Sequence, residues 1–153
     1  MGEVNTEDLI RELNLAYEEE LKSLQNYLSI GVYLEGVYGQ GVVAEDLIQD
    51  VGEERNHAER LAQRITELDG KPVFSTQDNT SQKIVDNVQS EDDVEEAVRA
   101  VIELEKGAVE RYKKIIRMSR ELGDETTRRL AEDLLADEEE HLDDFEGYLA
   151  HWE

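Results

Sequence analysis

Two stretches decide the fold, EERNHAERLAQRI at residues 53–65 and LLADEEEHLDDFE at residues 134–146. In each, a glutamate precedes a histidine by three positions: Glu54 with His57, and Glu138 with His141. The chain has only three histidines. Residues at i and i+3 share one face of a helix, so each pair can hold a metal ion from one side. Spacing alone is weak evidence, since chance would produce it at two of three histidines in about 7% of sequences this rich in glutamate. The position of these residues along their helices carries more weight.

Reading outward from the first stretch, an apolar seam of period 3.6 runs through Leu47, Val51, Ala58, Leu61, Ile65 and Leu68, and Glu54 occupies a core position within it. The second stretch repeats this with Leu134, Glu138, His141, Leu142, Phe145 and Leu149. Two further segments do the same. Leu13, Tyr17, Glu20, Leu24 and Tyr27 form one seam, and Val98, Val101, Glu105, Ala108, Tyr112 and Ile115 form the other. Each of four helices therefore turns one glutamate toward the core. The neighbours Glu18, Glu19, Glu53, Glu103, Glu139 and Glu140 lie off the seams and read as solvated faces.

With one proline, Pro72, in the chain, these segments are free to be long helices. The first is expected over about Glu7 to Glu35, capped by Asn5 or Thr6 and ended by Gly36. The second spans about Val42 to Leu68, stopped by Gly70 with Pro72 beyond. The third begins after Ser90, whose spacing to Asp93 resembles a capping box, and runs to Leu122 with Gly123 as terminator. The fourth follows Asp124 and runs almost to the end. Short links make each consecutive pair an antiparallel hairpin, whereas the polar stretch from Gly70 to Glu91 is long enough to return along the bundle. Within it, Gln82 to Val88 reads as a short helix or strand. The prediction is an all-α four-helix bundle of two antiparallel hairpins joined by a long crossover, with residues 1–153 as a single domain.

Composition narrows the function. The chain has 153 residues with 39 Asp+Glu against 16 Lys+Arg, a formal net charge of −23. That charge repels phosphate backbones and anionic membranes, so neither nucleic acid nor membrane is an expected partner, while cations are. No cysteine is present, which excludes thiolate metal sites and a thiol nucleophile. The N-terminus MGEVNTEDLI is acidic and no run of 18 apolar residues occurs, so a cytoplasmic location is expected.

Four buried carboxylates would protonate or recruit positive charge, because an unpaired buried ion costs several kcal/mol. Two divalent cations would neutralise them, and two imidazoles would complete the donor set. Mixed oxygen and imidazole ligation suits iron or manganese better than calcium or structural zinc. The halves also repeat: 54 − 20 = 34 residues separate the first two glutamates and 138 − 105 = 33 the second two, with Tyr27 and Tyr112 each seven positions after the first of its pair. This implies two similar hairpins related by a pseudo-twofold axis. Either tyrosine could be core or could hydrogen-bond into a site.

At EELKSLQNYL (19–28), DDVEEAVRAVIELEKGA (92–108) and the two stretches quoted first, nearly the whole chain resembles the ferritin-like di-iron carboxylate superfamily, nearest to the bacterioferritins and their Dps-like relatives. The resemblance implies Glu20, Glu54, His57, Glu105, Glu138 and His141 as metal ligands, with Glu54 and Glu138 bridging, and Tyr27 as the catalytic tyrosine beside the centre. It implies a ferroxidase that oxidises Fe(II) at a two-iron centre with dioxygen or hydrogen peroxide, for iron storage or detoxification, as a homo-oligomer. The alternative is a di-iron oxidase or oxygenase, or a di-manganese catalase, that stores nothing. Where bacterioferritins place the haem-ligating methionine this chain has Arg55, so no haem is expected. Only 12 residues follow His141 (153 − 141), which favours a dimer or 12-mer over a 24-mer. His151 reads as an exposed terminal residue and Trp152 as an interface anchor or a frayed end. Lysine supplies only six of the 16 basic residues, a pattern expected of a halophilic source.

Overall fold

The computed structural model describes residues 2–38, 41–73, 80–90 and 93–152. Its helices are α1 (Thr6–Tyr38), α2 (Val42–Glu67), α3 (Thr80–Asn87), α4 (Val94–Leu122) and α5 (Glu125–Leu149), followed by a short 3-10 turn at Ala150–Trp152. There are no strands among the described residues. The hairpins α1/α2 and α4/α5 pack into a bundle through α1 against α4 and α2 against α5. The architecture is the expected four-helix bundle with a long crossover. No helix of the described residues is long and apolar enough to cross a membrane.

Helix ends follow local chemistry. Asn5 Oδ1 accepts the Asp8 N–H at 2.9 Å and Asp8 returns the bond to the Asn5 N–H at 3.3 Å, so Asn5 rather than Thr6 is the cap of α1. Gly36 does not end that helix, which continues to Tyr38. A lone helical glycine costs only about 1 kcal/mol against alanine, and Leu34 just before it is anchored in the core at 3% exposure. At the end of α2 the positive φ of 65° falls on Asp69, not on Gly70. Gly70 is required for space instead: a Cβ there would lie 2.8 Å from Ile10 Cγ2. Ser90 and Asp93 make half a capping box, with Asp93 Oδ2 accepting the Ser90 N–H at 3.0 Å, and the helix starts only after Asp93. Gly123, at φ 67°, closes α4 as expected, and Asp124 caps α5 by accepting the Thr127 N–H at 3.0 Å.

Among the described residues, side chains of α1 hold the crossover through Asn14 and Tyr33. Asn14 of α1 donates to the Lys71 carbonyl at 3.1 Å and accepts the Val73 N–H at 2.8 Å. Beyond it, the residues read as helix or strand form helix α3, and Tyr33 donates to the Val88 carbonyl at 3.1 Å. Residues 74–79 of the crossover and the side chain of Trp152 lie outside the described residues.

The core is two apolar clusters rather than one. Leu9, Leu13, Leu61, Ile65, Ile115 and Leu134 lead the first. Tyr27, Ile30, Leu47, Val98, Val101 and Phe145 lead the second. The seam glutamates and histidines fall between them along every long helix, so each cluster seals one end of a polar layer from water. On α1 the buried stripe runs Leu9, Leu13, Ala16, Glu20, Tyr27 and Ile30, with Tyr17 and Leu24 only half-buried.

Candidate metal centre

All six sequence-derived ligands reach this layer. Glu20, Glu54, His57, Glu105 and Glu138 are each 1–2% exposed and His141 is 3% exposed. Their donor atoms form two groups, Glu20, Glu54, His57 and Glu138, and Glu54, Glu105, Glu138 and His141, with the atoms of each group within 4.8 Å of one another. Glu54 and Glu138 belong to both groups. They come from α2 and α5, while the unshared Glu20 and Glu105 come from α1 and α4, so the repeat seen in sequence becomes a pseudo-twofold in space.

Both imidazoles turn Nδ1 inward. His57 Nδ1 lies 2.9 Å from Glu138 and 3.5 Å from Glu20, and His141 Nδ1 lies 3.3 to 3.7 Å from Glu54, Glu138 and Glu105. The outward nitrogens are held across the bundle by carboxylates of the other hairpin. His57 Nε2 is 2.9 Å from Asp137 Oδ2, and His141 Nε2 bonds Glu53. A carboxylate on Nε2 keeps a proton there, so Nδ1 is the nitrogen that would turn its lone pair to a cation.

These outer partners were not read as site residues. Glu53 has a side chain 52% exposed, as a solvated face should, yet its carboxylate reaches His141. Asp137 was missed altogether. The signal available was the acid immediately before each motif glutamate, Asp137 before Glu138 and Glu53 before Glu54. Asp50 also lies near, 3.7 Å from His141 Nε2.

The tyrosines separate. The Tyr112 hydroxyl donates to Glu20 Oε1, so Tyr112 is the tyrosine in contact with the centre. Tyr27 is fully buried in the second apolar cluster, its ring 6.2 Å from that of Phe145, and its hydroxyl has no hydrogen-bond partner. Arg55 and His151 are exposed.

The donor set fits a pair of divalent cations. Glu20 Oε2, Glu54 Oε1, both oxygens of Glu105, Glu138 Oε2 and His141 Nδ1 are buried without a hydrogen-bond partner among the described residues. Leaving one such atom unpaired costs roughly 1–3 kcal/mol, and all of them face the same small volume. Protons take the place of metal in the bare chain. Burial, then the charges of Glu54 and Glu138, hold Glu20 well above the usual carboxylate range. Burial and the adjoining Glu138 do the same for Glu105. Burial opposes ionisation of Glu138 too, but the adjoining Glu105, His141 and His57, the last bonded to it at 2.9 Å, outweigh it and hold that carboxyl low. Burial would depress His57, yet its bonds to Glu138 and Asp137 carry it above the ordinary histidine value. The centre is thus a cluster in which cations would displace shared protons.

Residues 10–153 match the family model of the ferritin-like domain. Among curated relatives, the bacterioferritin of Mycobacterium leprae is 31% identical over 143 residues, covering 94% of this chain and 84% of its own. A ferritin-like diiron-carboxylate protein from Bacillus anthracis superposes with a TM-score of 0.79 at 25% identity, over 97% of this chain and 99% of that one. The bacterioferritin of Desulfovibrio desulfuricans, solved with its diiron site in different catalytic states, superposes with a TM-score of 0.80 at 26% identity, over 95% of this chain and 80% of its own. With its fold, its paired carboxylate and histidine layer and its sequence all in agreement, the chain belongs to the ferritin-like family.

Proposed function

We propose that this protein is a ferroxidase serving iron storage or detoxification, with Fe(II) as its substrate and residues 1–153 as one ferritin-like domain. The observation that carries the reading is the sharing of Glu54 and Glu138 between two four-residue donor groups, which is the arrangement two adjacent cations need. Glu20 and His57 would hold one ion and Glu105 and His141 the other, with Glu54 and Glu138 bridging. When bound, two ferrous ions supply one electron each to an oxidant; with dioxygen and two protons the reduced product is hydrogen peroxide. Hard carboxylate oxygens favour the ferric product over the ferrous substrate, and so drive the oxidation.

The remaining chemistry belongs to the chain. Asp137 and Glu53 hold the proton on each Nε2 and aim each Nδ1. Tyr112 fixes one oxygen of Glu20, leaving Oε2 free to ligate. Tyr27, buried and unpartnered at its hydroxyl, keeps the role of the tyrosine beside the centre that the family resemblance implies. The two apolar clusters exclude bulk water, so the carboxylates act in a low dielectric where they bind cations strongly. We infer a cytoplasmic homo-oligomer, and one without haem, because Arg55 stands where the family resemblance places the haem-ligating methionine.

The test is iron oxidation followed by absorbance in air. Wild type is expected to oxidise two Fe(II) per chain far faster than buffer, and the double variant Glu54→Ala with His57→Ala to lose this while keeping its helical circular dichroism. Wild-type oxidation no faster than buffer would falsify the ferroxidase reading.

A further inference from the structure

The gap between α1 and α4 contains a cleft of ≈ 160 Å³ with the buried Glu20 in its lining. Ser23, Leu104, Gly107 and Ala108 also line it. The charged residues at its rim are already paired: Glu19 with Arg111 at 2.8 Å, Lys22 with Glu18 at 3.4 Å and Glu103 with Lys106 at 3.5 Å. Glu20 itself is 2% exposed and its Oε2 has no hydrogen-bond partner. Gly107 lines the cleft and carries no side chain that could fill it.

Such a passage suits one kind of molecule. A cation entering between α1 and α4 would meet carboxylates already paired with Arg111 and Lys106, whereas Glu53 and Asp137, which bond the two histidines of the centre, stand on the opposite side, between α2 and α5. An organic substrate needs a pocket of about 300 Å³ or more, and a water occupies about 30 Å³ in the liquid, so this cleft has room for a few diatomic-sized molecules. Resting on the ferroxidase reading, we infer that the α1/α4 cleft is the entry and waiting site for dioxygen at the metal centre, separate from the side on which cations approach. Its largely apolar wall favours a neutral apolar gas over water.

The test plugs the cleft without touching a ligand. Gly107→Leu and, independently, Ser23→Leu are compared with wild type and with Gly147→Leu, a substitution on the outer face of α5 where a Cβ also meets nothing within 4 Å. Three quantities are measured: cobalt(II) bound per chain without oxygen, the rate of Fe(II) oxidation against dioxygen concentration, and xenon occupancy in gas-pressurised crystals. Expected are two cobalt ions per chain in every variant, xenon in the cleft of wild type and Gly147→Leu but not of the plugged variants, and a rate at low dioxygen reduced about tenfold by either plug, one decade of barrier. Recovery of the plugged rate at high dioxygen is also expected. Wild-type oxidation kinetics in both plugged variants, or no xenon in the wild-type cleft, overturns the inference while leaving the ferroxidase reading intact. Failure of wild type to bind two cobalt ions overturns the metal centre and the cleft's role with it.

Discussion

Asp137 lies outside the six proposed ligands but touches one of them, so its replacement tests how the centre is built. In Asp137→Ala the acceptor 2.9 Å from His57 Nε2 is removed. The histidine is then free to place its proton on Nδ1, where it blocks coordination, or to turn away from Glu138. Loss of such an outer partner lowers metal affinity 10- to 100-fold, or about 1.4–2.7 kcal/mol. The Asp137 side chain is 45% exposed, so water can take over part of the hydrogen bond. The expected loss therefore sits near the lower limit, about tenfold or ~1.4 kcal/mol. Calorimetric titration with cobalt(II) measures it, with Asp133→Ala as control, because Asp133 pairs with Arg60 across the same two helices and touches no histidine. In a double-mutant cycle, Asp137→Ala should cost nothing once His57 is already alanine. Affinity within about twofold of wild type, or losses that simply add in the double variant, would refute the positioning role.

Other consequences follow from the same geometry. Glu105→Gln should stabilise the metal-free protein by on the order of 1–3 kcal/mol, because a buried carboxyl with two unpartnered oxygens is replaced by a neutral isostere, while one cation site is lost; a lower melting temperature in chelator would contradict this. Metal-free stability should fall as pH rises. Burial first, and Glu53 and Glu54 next, push Asp50 up to about 7, opposed by His141, so its penalty is absent below its unfolded value near 3.8 and complete above about 7. His57, raised by its carboxylates, adds stability below 6.5 that is lost as pH rises through its folded value. Below pH 4 the trend reverses, since Asp124, held low by Thr127 and Arg64 despite partial burial, gives stability that disappears as it protonates. Thermal melts in chelator at pH 3, 5, 7 and 9 should therefore peak near 5, and a curve still rising from 5 to 9 would be incompatible with this centre. Finally, with a net charge of −23, molar potassium chloride should raise the melting temperature over dilute buffer, as the screening length shrinks from about 10 Å at 0.1 M to 3 Å at 1 M; equal melting in both would remove the case for a saline habitat.

Much of the bundle was legible because its signals are local. Period 3.6 in the apolar residues, Gly123 beyond Leu122 and Asp124 before Glu125 each act within a turn or two of chain, and the helices begin and end there. Where a local signal competed with packing it misled. Gly36 looks like a stop, yet Leu34 is buried in the core and the helix runs on through the glycine, and Gly70 does follow the end of its helix, yet Asp69 takes the positive φ and Gly70 makes room for Ile10. The stripe on α1 passes through Ala16 rather than Tyr17 because the buried face of a long helix is chosen by its neighbours as well as by its own pattern.

The sequence by itself determined that four helices each turn a glutamate inward and that two of them add a histidine one turn on, since both facts depend only on a rotation of 100° per residue. Folding brought those six residues into one layer. Only the tertiary structure decided that Tyr112 and not Tyr27 bonds to Glu20, and that Asp137 holds His57 while Glu53 holds His141, pairs separated by 80 and 88 residues. Those outcomes depend on how far one helix slides and rolls against another, a displacement of 1.5 Å per residue that no pattern within a single helix records.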